Sequence, residues 1–111
     1  MTKRFRIEWA PVAQADLDEL LEYITEQDSV DAAIHVYEKI MSRIDALGSN
    51  PLRYRVPSEL QPHGVRDYRE VIVAPYSVFI RVSGRTIGII GVLDRRRDLQ
   101  EILVERALRP G

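Results

Sequence analysis

Residues 66–93 read RDYREVIVAPYSVFIRVSGRTIGIIGVL, and this stretch decides the fold. Apolar and aromatic side chains dominate three runs in it, at residues 66–73, 76–82 and 86–93, and such runs predict β-strands. Ala74 and Pro75 predict a turn after the first run, and residues 83–85 predict a compact hairpin connection. The stretch therefore predicts an antiparallel three-strand meander. Residues 87–93 are apolar at both parities, which predicts a third strand covered on both faces and interior to the sheet.

The residues before this stretch predict a strand and a first helix. Phe5, Ile7 and Trp9 alternate with charged residues, which is the period of a strand with one buried face. Pro11 suits the first turn of a helix. The apolar stripe of that helix recurs at spacings of three and four and consists of Ala13, Leu17, Leu20, Leu21 and Ile24. The acidic residues on the opposite side are expected to face solvent: Asp16, Glu19, Glu22 and Glu26.

Two further helices and a long loop complete the pattern. Ser29 predicts the N-cap of a second helix that Gly48 ends. Its predicted apolar stripe consists of Ala33, Tyr37, Ile40, Ile44 and Leu47. Residues 48–64 are rich in glycine and proline without periodicity, which predicts a long loop. A helical period returns from Arg96, with Leu99, Ile102, Leu103 and Ala107, and Pro110 and Gly111 are expected to end it.

This order predicts an α+β fold made of an N-terminal strand, a helical hairpin, the antiparallel meander and a C-terminal helix. The hairpin should pack on one face of the sheet. At 111 residues the chain has the size of one domain, residues 1–111. The pattern leaves open where the first strand enters the sheet, because a helical hairpin can return the chain to either edge.

Composition excludes several classes of function. Apolar residues make up 45% of the chain and charged residues 30%, as in ordinary globular proteins. The absence of cysteine excludes disulfides, thiolate metal sites and a cysteine nucleophile, and no cofactor is expected. No run approaches the roughly 18 apolar residues of a membrane-spanning helix, and the first residues lack the apolar core of a signal peptide. We therefore expect a cytoplasmic protein with no membrane partner.

The net charge of −1 conceals a division along the chain. Residues 1–51 carry 5 basic and 10 acidic side chains, whereas residues 52–97 carry 9 basic and 4 acidic ones. All nine of those cations are arginines. Arginine pairs with carboxylate or phosphate through a planar fork and stacks on aromatic rings, so the bias indicates a partner bound through guanidinium groups.

Several segments, taken in order, resemble one family. They are Trp9, Ala10 and Pro11 leading to Leu21, Tyr23 and Ile24; Pro51 with Arg53 and Arg55; Tyr76, Phe79 and Arg81; and Leu93 with Arg97, Asp98 and Leu99. Together they resemble the RelE/ParE superfamily of toxins from type II toxin–antitoxin modules, over nearly the whole chain. The chain departs from the family at Asp94, where many members have a histidine.

The superfamily implies two activities. RelE-type members cleave messenger RNA in the ribosome, which needs cations on the phosphate and groups that move protons. Residues 52–111 have no lysine, a single histidine at position 63 and no tyrosine after residue 76, so this equipment is incomplete. ParE-type members, which the chain resembles more closely, bind DNA gyrase and trap its cleaved DNA complex. That action needs a recognition surface and no general base, so no catalytic residue is expected.

The predicted target-binding surface joins arginines of the sheet to those that follow its last strand. It consists of Arg66, Arg69, Tyr76, Arg81, Arg95, Arg96 and Arg97. Because Arg66 and Arg69 have opposite parity, at most one of them shares a face with Arg81 unless a bulge intervenes. The alternative for residues 95–97 is a solvated charge run.

The remaining candidate residues have structural interpretations. His35 and His63 are predicted to be surface residues without a catalytic role. The aromatic side chains at core-facing helix or strand spacing are predicted to pack in the core: Trp9, Tyr23 and Tyr37.

The resemblance thus leads to the hypothesis of a toxin that inhibits gyrase, arrests growth and stabilises plasmids. It also implies a cognate antitoxin, with a DNA-binding half and an acidic amphipathic segment, that neutralises the toxin in a hetero-oligomer. Two alternatives stay open: a RelE-like ribosome-dependent endoribonuclease that uses Arg81 and its neighbours, and an inactive member that acts as a co-repressor with its antitoxin.

Overall fold

The computed structural model describes residues 5–108 and confirms the α+β class. Its helices are α1 (Pro11–Gln27), α2 (Val30–Asp45) and α3 (Leu99–Leu108). Its strands are β1 (Arg6–Trp9), β2 (Tyr68–Val73), β3 (Tyr76–Ser83) and β4 (Thr86–Asp94). The helix stop predicted at Pro110 and Gly111 lies outside the described residues. None of the described helices is both long and apolar enough to cross a bilayer.

The four strands form one mixed sheet in the order β1-β4-β3-β2. The pairs β2–β3 and β3–β4 are antiparallel, so the predicted meander is confirmed. Strand β1 pairs in parallel with β4, with Ile7 opposite Ile87, which answers the question that the pattern left open. The interior position predicted for β4 is also confirmed.

Apolar side chains cover both faces of the sheet. On one face the α1–α2 hairpin packs on the strands through a cluster that includes Ala13, Leu17, Ile40, Ile44, Val71, Val78, Ile80 and Ile89. On the other face α3 and the loop before β2 pack through Leu60, Tyr68, Phe79, Leu93, Leu99 and Leu103. Burial on both sides explains why β3 and β4 are apolar at both parities.

A β-bulge interrupts β4. Phe79 lies opposite Gly91 and Ile80 lies opposite Ile89, so Ile90 is an extra residue in β4. Strand β1 ends at Trp9, opposite Ile89, and the edge of β4 after that point has no neighbouring strand. The bulge therefore lies where the edge of β4 becomes open to side chains from α1 and α3.

Some details of the elements differ from the prediction, including the start of β2, which begins at Tyr68 and not at Arg66. Helix α3 begins at Leu99 and not at Arg96, because residues 95–98 form a turn in which the Arg97 N–H donates to the Asp94 carbonyl at 3.1 Å. The long loop contains short 3₁₀ turns at Pro51–Arg53 and Gln61–His63. The same loop also forms a single bridge to the sheet, between Arg55 and Glu70.

The predictions for individual side chains have mixed outcomes. Trp9 packs against the core, and His35 and His63 are exposed, as predicted. Tyr23 and Tyr37 are exposed, so the prediction that they pack in the core is wrong. Each lies at the margin of its stripe, because 3.6 residues per turn places it to one side of the residues that touch the sheet.

The acidic side of α1 also differs from the prediction at one position. Glu19, Glu22 and Glu26 are exposed, as expected, but Asp16 is mostly shielded from solvent. Asp16 follows Ala13 by three residues, so it borders the apolar stripe and faces the edge of β4.

Candidate target-binding surface

The turn after β4 presents Arg95, Arg96 and Arg97, all exposed. The Arg95 N–H donates to the Pro75 carbonyl at 2.9 Å, which ties this turn to the connection between β2 and β3. The Arg96 guanidinium donates to both oxygens of Asp94, at 2.9 Å from Nε to Oδ1 and 2.5 Å from Nη2 to Oδ2. These hydrogen bonds hold the pKa of Asp94 below its ordinary value, although partial burial opposes the shift.

A buried carboxylate connects this turn to the loop before β2. The Glu70 side chain is 3% exposed, and it accepts a hydrogen bond at 2.6 Å from the Ser77 hydroxyl. Arg55 Nη2 lies 3.1 Å from Glu70 Oε1, and Arg95 Nε lies 3.4 Å from Glu70 Oε2. Glu70 therefore holds two arginines that are distant in sequence on one side of the sheet.

Arg96 and Arg97 border a groove between α1 and the end of β4, with a volume of about 430 Å³. Tyr23 and Glu19 line its α1 side, and the rest of the lining consists of Asp16, Leu20, Val92, Leu93 and Asp94. Arg97 also borders a second groove of about 530 Å³ between α1 and α3. Within residues 5–108 no ion pair involves Arg97, which leaves its guanidinium group available at the junction of the two grooves.

Tyr76 lies beneath the turn and not on its surface. It is buried and packs with Ile24 and Ala33 of the helical hairpin. Burial raises the pKa of the Tyr76 phenol, Asp94 raises it further, and Arg96 opposes the shift. Tyr76 thus supports the arginine turn from below.

The other predicted arginines lie near the start of β2. Arg81 Nε donates to Asp67 Oδ2 at 2.9 Å, and this hydrogen bond raises the pKa of Arg81. Arg69 donates to the backbone carbonyls of Tyr68, at 2.9 Å, and of Arg66. Arg69 lies opposite Ile80 whereas Arg81 lies opposite Tyr68, so the two arginines point to different faces, in agreement with the parity argument. Arg66 is exposed and precedes the strand.

The predicted surface is therefore divided into two groups. The β4-end group consists of Arg95, Arg96 and Arg97, and the β2-start group consists of Arg66, Arg69 and Arg81. Arg81 lies five residues after Tyr76 in β3, which separates the groups by about 16 Å along the strand. The expectation that all these arginines gather in one place is wrong, because the two groups lie at opposite ends of β3. In the described part of the chain, no three acidic or histidine side chains are placed to hold a metal ion.

Comparison with known protein families identifies the chain. A family model described as the ParE toxin of the type II toxin–antitoxin system, parDE, matches residues 7–99. The chain belongs to the ParE toxin family. The resemblance seen in the sequence, and its closer match to the ParE branch, are confirmed.

Related proteins support this assignment. The chain is 30% identical to Toxin ParE1 of Mycobacterium tuberculosis (strain ATCC 25618 / H37Rv) over 104 residues, which cover 93% of this chain and 100% of that protein. It is 33% identical to Putative toxin Y4kP of Sinorhizobium fredii over 102 residues, 90% of this chain and 98% of the relative. A solved structure titled "Chromosomal ParDE TA system from P. aeruginosa" matches with a TM-score of 0.69 and 22% identity, covering 82% of this chain and 96% of that one. That likeness shows a shared fold.

In this ParE-family chain, sequence reasoning missed an ion pair at the open edge of β4. Asp16 Oδ2 lies 2.6 Å from Arg106 Nη1, and the same oxygen accepts the Val92 N–H at 3.0 Å. Arg106 Nη1 also donates to the Ile90 carbonyl at 3.1 Å. The two side chains thus satisfy backbone groups that a neighbouring strand would otherwise pair. A Cβ on Gly91 would lie 2.9 Å from Arg106 Nη1, so the close approach favours glycine there.

The sequence held a partial signal for the missed residues. Glu70 interrupts an apolar strand, and a charged residue in such a run indicates a buried partner or an edge position. Asp16 borders the stripe of α1. Arg55 belongs to a segment that resembles the family, but nothing in the sequence pairs it with Glu70, and no pattern marks Arg106. Both pairings are contacts between residues distant in sequence.

Proposed function

We propose that this chain is a toxin that inhibits DNA gyrase by binding it, in the cytoplasm, and that a cognate antitoxin neutralises it. The proposal rests on membership of the ParE family. One feature of the structure supports it further: the β4-end group consists of three exposed arginines, of which Arg96 and Arg97 border a groove. Arginine is among the residues that most often dominate binding energy at protein interfaces.

The β4-end group is the better candidate for the principal contact. Its three arginines are consecutive and exposed, and Arg97 has no ion pair among the described residues, although Arg96 is paired with Asp94 as Arg81 is with Asp67. Glu70 holds Arg95 in place through a buried carboxylate, which reduces the entropy that this arginine would lose on binding. We assign Arg81 and Arg66 to a second, weaker contact on the same target, and we leave Arg69 out of it because Arg69 points to the other face of the sheet.

Ionisable groups beside the arginines favour binding over proton transfer. A general base or acid works best with a pKa near the working pH. Here the pKa of Asp94 is lowered by Arg96, and burial raises the pKa of Tyr68 and Tyr76. Each shift moves the group away from neutral pH, which supports an inhibitor that acts by occupying its target.

The groove between α1 and β4 supports the antitoxin part of the proposal. Leu20, Val92 and Leu93 offer apolar contacts there. Arg97 offers a positive charge that has no ion pair within residues 5–108, and the Asp94 and Asp16 carboxylates of the groove are neutralised by Arg96 and Arg106. An amphipathic acidic segment of an antitoxin would complement both features. Such a segment would cover Arg96 and Arg97, so binding of the antitoxin and of gyrase would exclude each other.

Parallel assays test the proposal. The purified chain is added to gyrase with relaxed plasmid, and separately to translating ribosomes with messenger RNA. We expect supercoiling to stop while the RNA stays intact. RNA cleavage with unaffected gyrase would replace the proposal by the endoribonuclease alternative, and no effect in either assay, together with no growth arrest on expression, would favour the co-repressor.

A pair of triple variants then tests the surface. Changing Arg95, Arg96 and Arg97 to alanine should raise the inhibitory concentration about tenfold or more. The matched control changes Arg6, Arg43 and Arg85 to alanine, which removes the same charge from exposed positions elsewhere. Equal inhibition by both variants, with circular dichroism like that of the unaltered chain, would remove the β4-end group from the proposal.

A further inference from the structure

Helix α2 carries a second apolar stripe that is exposed along most of its length and meets the core only at Met41. Val30, Ile34 and Tyr37 are 59%, 49% and 43% exposed, and Met41 continues the line with partial burial. Their spacings of four, three and four residues are those of alternating d and a positions in a coiled coil. We call these four residues the outer seam.

An acidic line runs beside the outer seam. Asp31, Glu38 and Asp45 are spaced by seven residues, so they occupy the e positions of the same heptads. All three are exposed, and none forms an ion pair within residues 5–108. The cations of α2, Lys39 and Arg43, lie on the opposite side of the helix.

Helix stability explains Asp31, which lies in the first turn of α2 where the helix dipole favours a carboxylate, but it does not explain Val30, Ile34 or Asp45. Val30 and Ile34 are β-branched, which lowers their helix propensity, and their burial is too small to compensate for this. Asp45 ends the helix, where the helix dipole disfavours a carboxylate. The seam and its acidic line therefore have the features of a surface that another molecule covers.

We propose that the outer seam docks an amphipathic helix of another protein that carries lysine or arginine beside its own apolar stripe. The seam runs from Val30 to Met41, a rise of about 16 Å, which matches about three turns of a partner helix. Positive residues on that helix would face Asp31, Glu38 and Asp45 as in an e–g pairing. A second copy of this chain fits less well, because antiparallel pairing of two α2 helices would bring these acidic lines together.

This inference does not depend on gyrase or on the arginine groups, so it can be tested with the full chain alone. The probes are two synthetic helices of 21 residues with identical apolar stripes, one flanked by lysine and the other by glutamate. Fluorescence anisotropy at low salt should show that the lysine helix binds about tenfold more tightly, and that added salt weakens it.

Variants locate the binding site on the chain. The double change Ile34→Ser and Tyr37→Ser should reduce binding of the lysine helix about tenfold or more. Val12→Ser is the matched control, since Val12 is a 43% exposed apolar residue on α1, and it should leave binding unchanged. Changing Asp31, Glu38 and Asp45 to lysine should reverse the preference between the two helices, and circular dichroism checks that each variant folds.

Three results would overturn the proposal. Binding of neither helix would do so, as would equal affinity for both. Dimerisation of the chain in sedimentation equilibrium, abolished by the seam variant, would assign the surface to a second copy instead.

Discussion

Two arginine–aspartate pairs in this molecule have similar geometry and different surroundings. Arg106 lies 2.6 Å from Asp16 at the open edge of β4, and Arg81 lies 2.9 Å from Asp67 near the start of β2. The side chains of the first pair are 19% and 12% exposed, and those of the second are 46% and 43% exposed. Shielding from water strengthens the first attraction and makes its loss costly, whereas solvent screens the second. Burial, more than residue type or distance, therefore decides how much each pair contributes to stability.

The largest effect is expected at the shielded pair. Arg106→Met leaves the mostly shielded Asp16 carboxylate with the Val92 N–H as its remaining donor, and it removes the donor to the Ile90 carbonyl. We expect the free energy of unfolding to fall by about 3 kcal/mol, measured by urea denaturation. Arg85→Met, at an exposed turn position, serves as the control. A loss of less than about 1 kcal/mol would contradict this expectation, because removing an exposed ion pair could lower the free energy of unfolding by that amount.

Glu70 should give an intermediate effect, since a buried carboxylate here meets two arginines that are more exposed than Arg106. Glu70→Gln keeps the shape of the side chain and removes its charge. We expect unfolding to become easier by about 2 kcal/mol, as for hydrogen bonds to a charged group. Glu22→Gln on the solvent side of α1 is the matched control. If the two variants unfold at the same urea concentration, Glu70 does not hold the arginines as the distances indicate.

The exposed pair should give a small effect. Asp67→Asn keeps a hydrogen-bond acceptor for Arg81 and removes the charge from a solvated position. The free energy of unfolding should change by no more than about 0.5 kcal/mol. A change as large as that of Arg106→Met would show that exposure does not decide how much each pair contributes to the free energy of unfolding.

The smallest effect concerns pH and the pair of Asp94 with Arg96. The hydrogen bonds from Arg96 lower the pKa of Asp94 below its ordinary 3.8 in the folded chain. A carboxyl group with a lowered folded pKa stabilises the fold above its unfolded pKa, and that contribution is lost as pH falls through the folded pKa. An NMR titration of the Asp94 carboxyl carbon should show a pKa below 3.8 that rises in Arg96→Ala. Equal titration in both proteins would contradict the pairing.

The helices and strands followed from patterns within short stretches. The period of two in β1, the spacings of three and four in α1 and α2, and the doubly apolar run in β4 each predict an element and its buried face. Those patterns predicted the wrong burial for residues at the margins of the apolar stripes of α1 and α2, such as Tyr23 and Tyr37. There the rotation of the helix against the sheet decides burial, and the sequence of one helix does not define that rotation.

The candidate site was less predictable than the fold. Residues 95–97 follow one another in sequence, so their grouping was certain. The opposite parity of Arg66 and Arg69 showed that at most one of them could share a face with Arg81, and the register of β2 and β3 then placed Arg69 on the other face. The distance between the two arginine groups depends on which end of β3 each one occupies. Whether Arg95 would meet Glu70 depends on the register of three strands, which no single run of residues specifies.

The order of elements, their buried faces and the resemblance to ParE toxins were thus determined by the sequence alone, because periodicity is set by backbone geometry within a few residues. Only the tertiary structure decided that β1 lies parallel to β4, that Asp16 meets Arg106, and that Arg81 stands apart from Arg95. These contacts join residues far apart in the chain, and the shielding that gives an ion pair its strength exists only once the surrounding elements have packed.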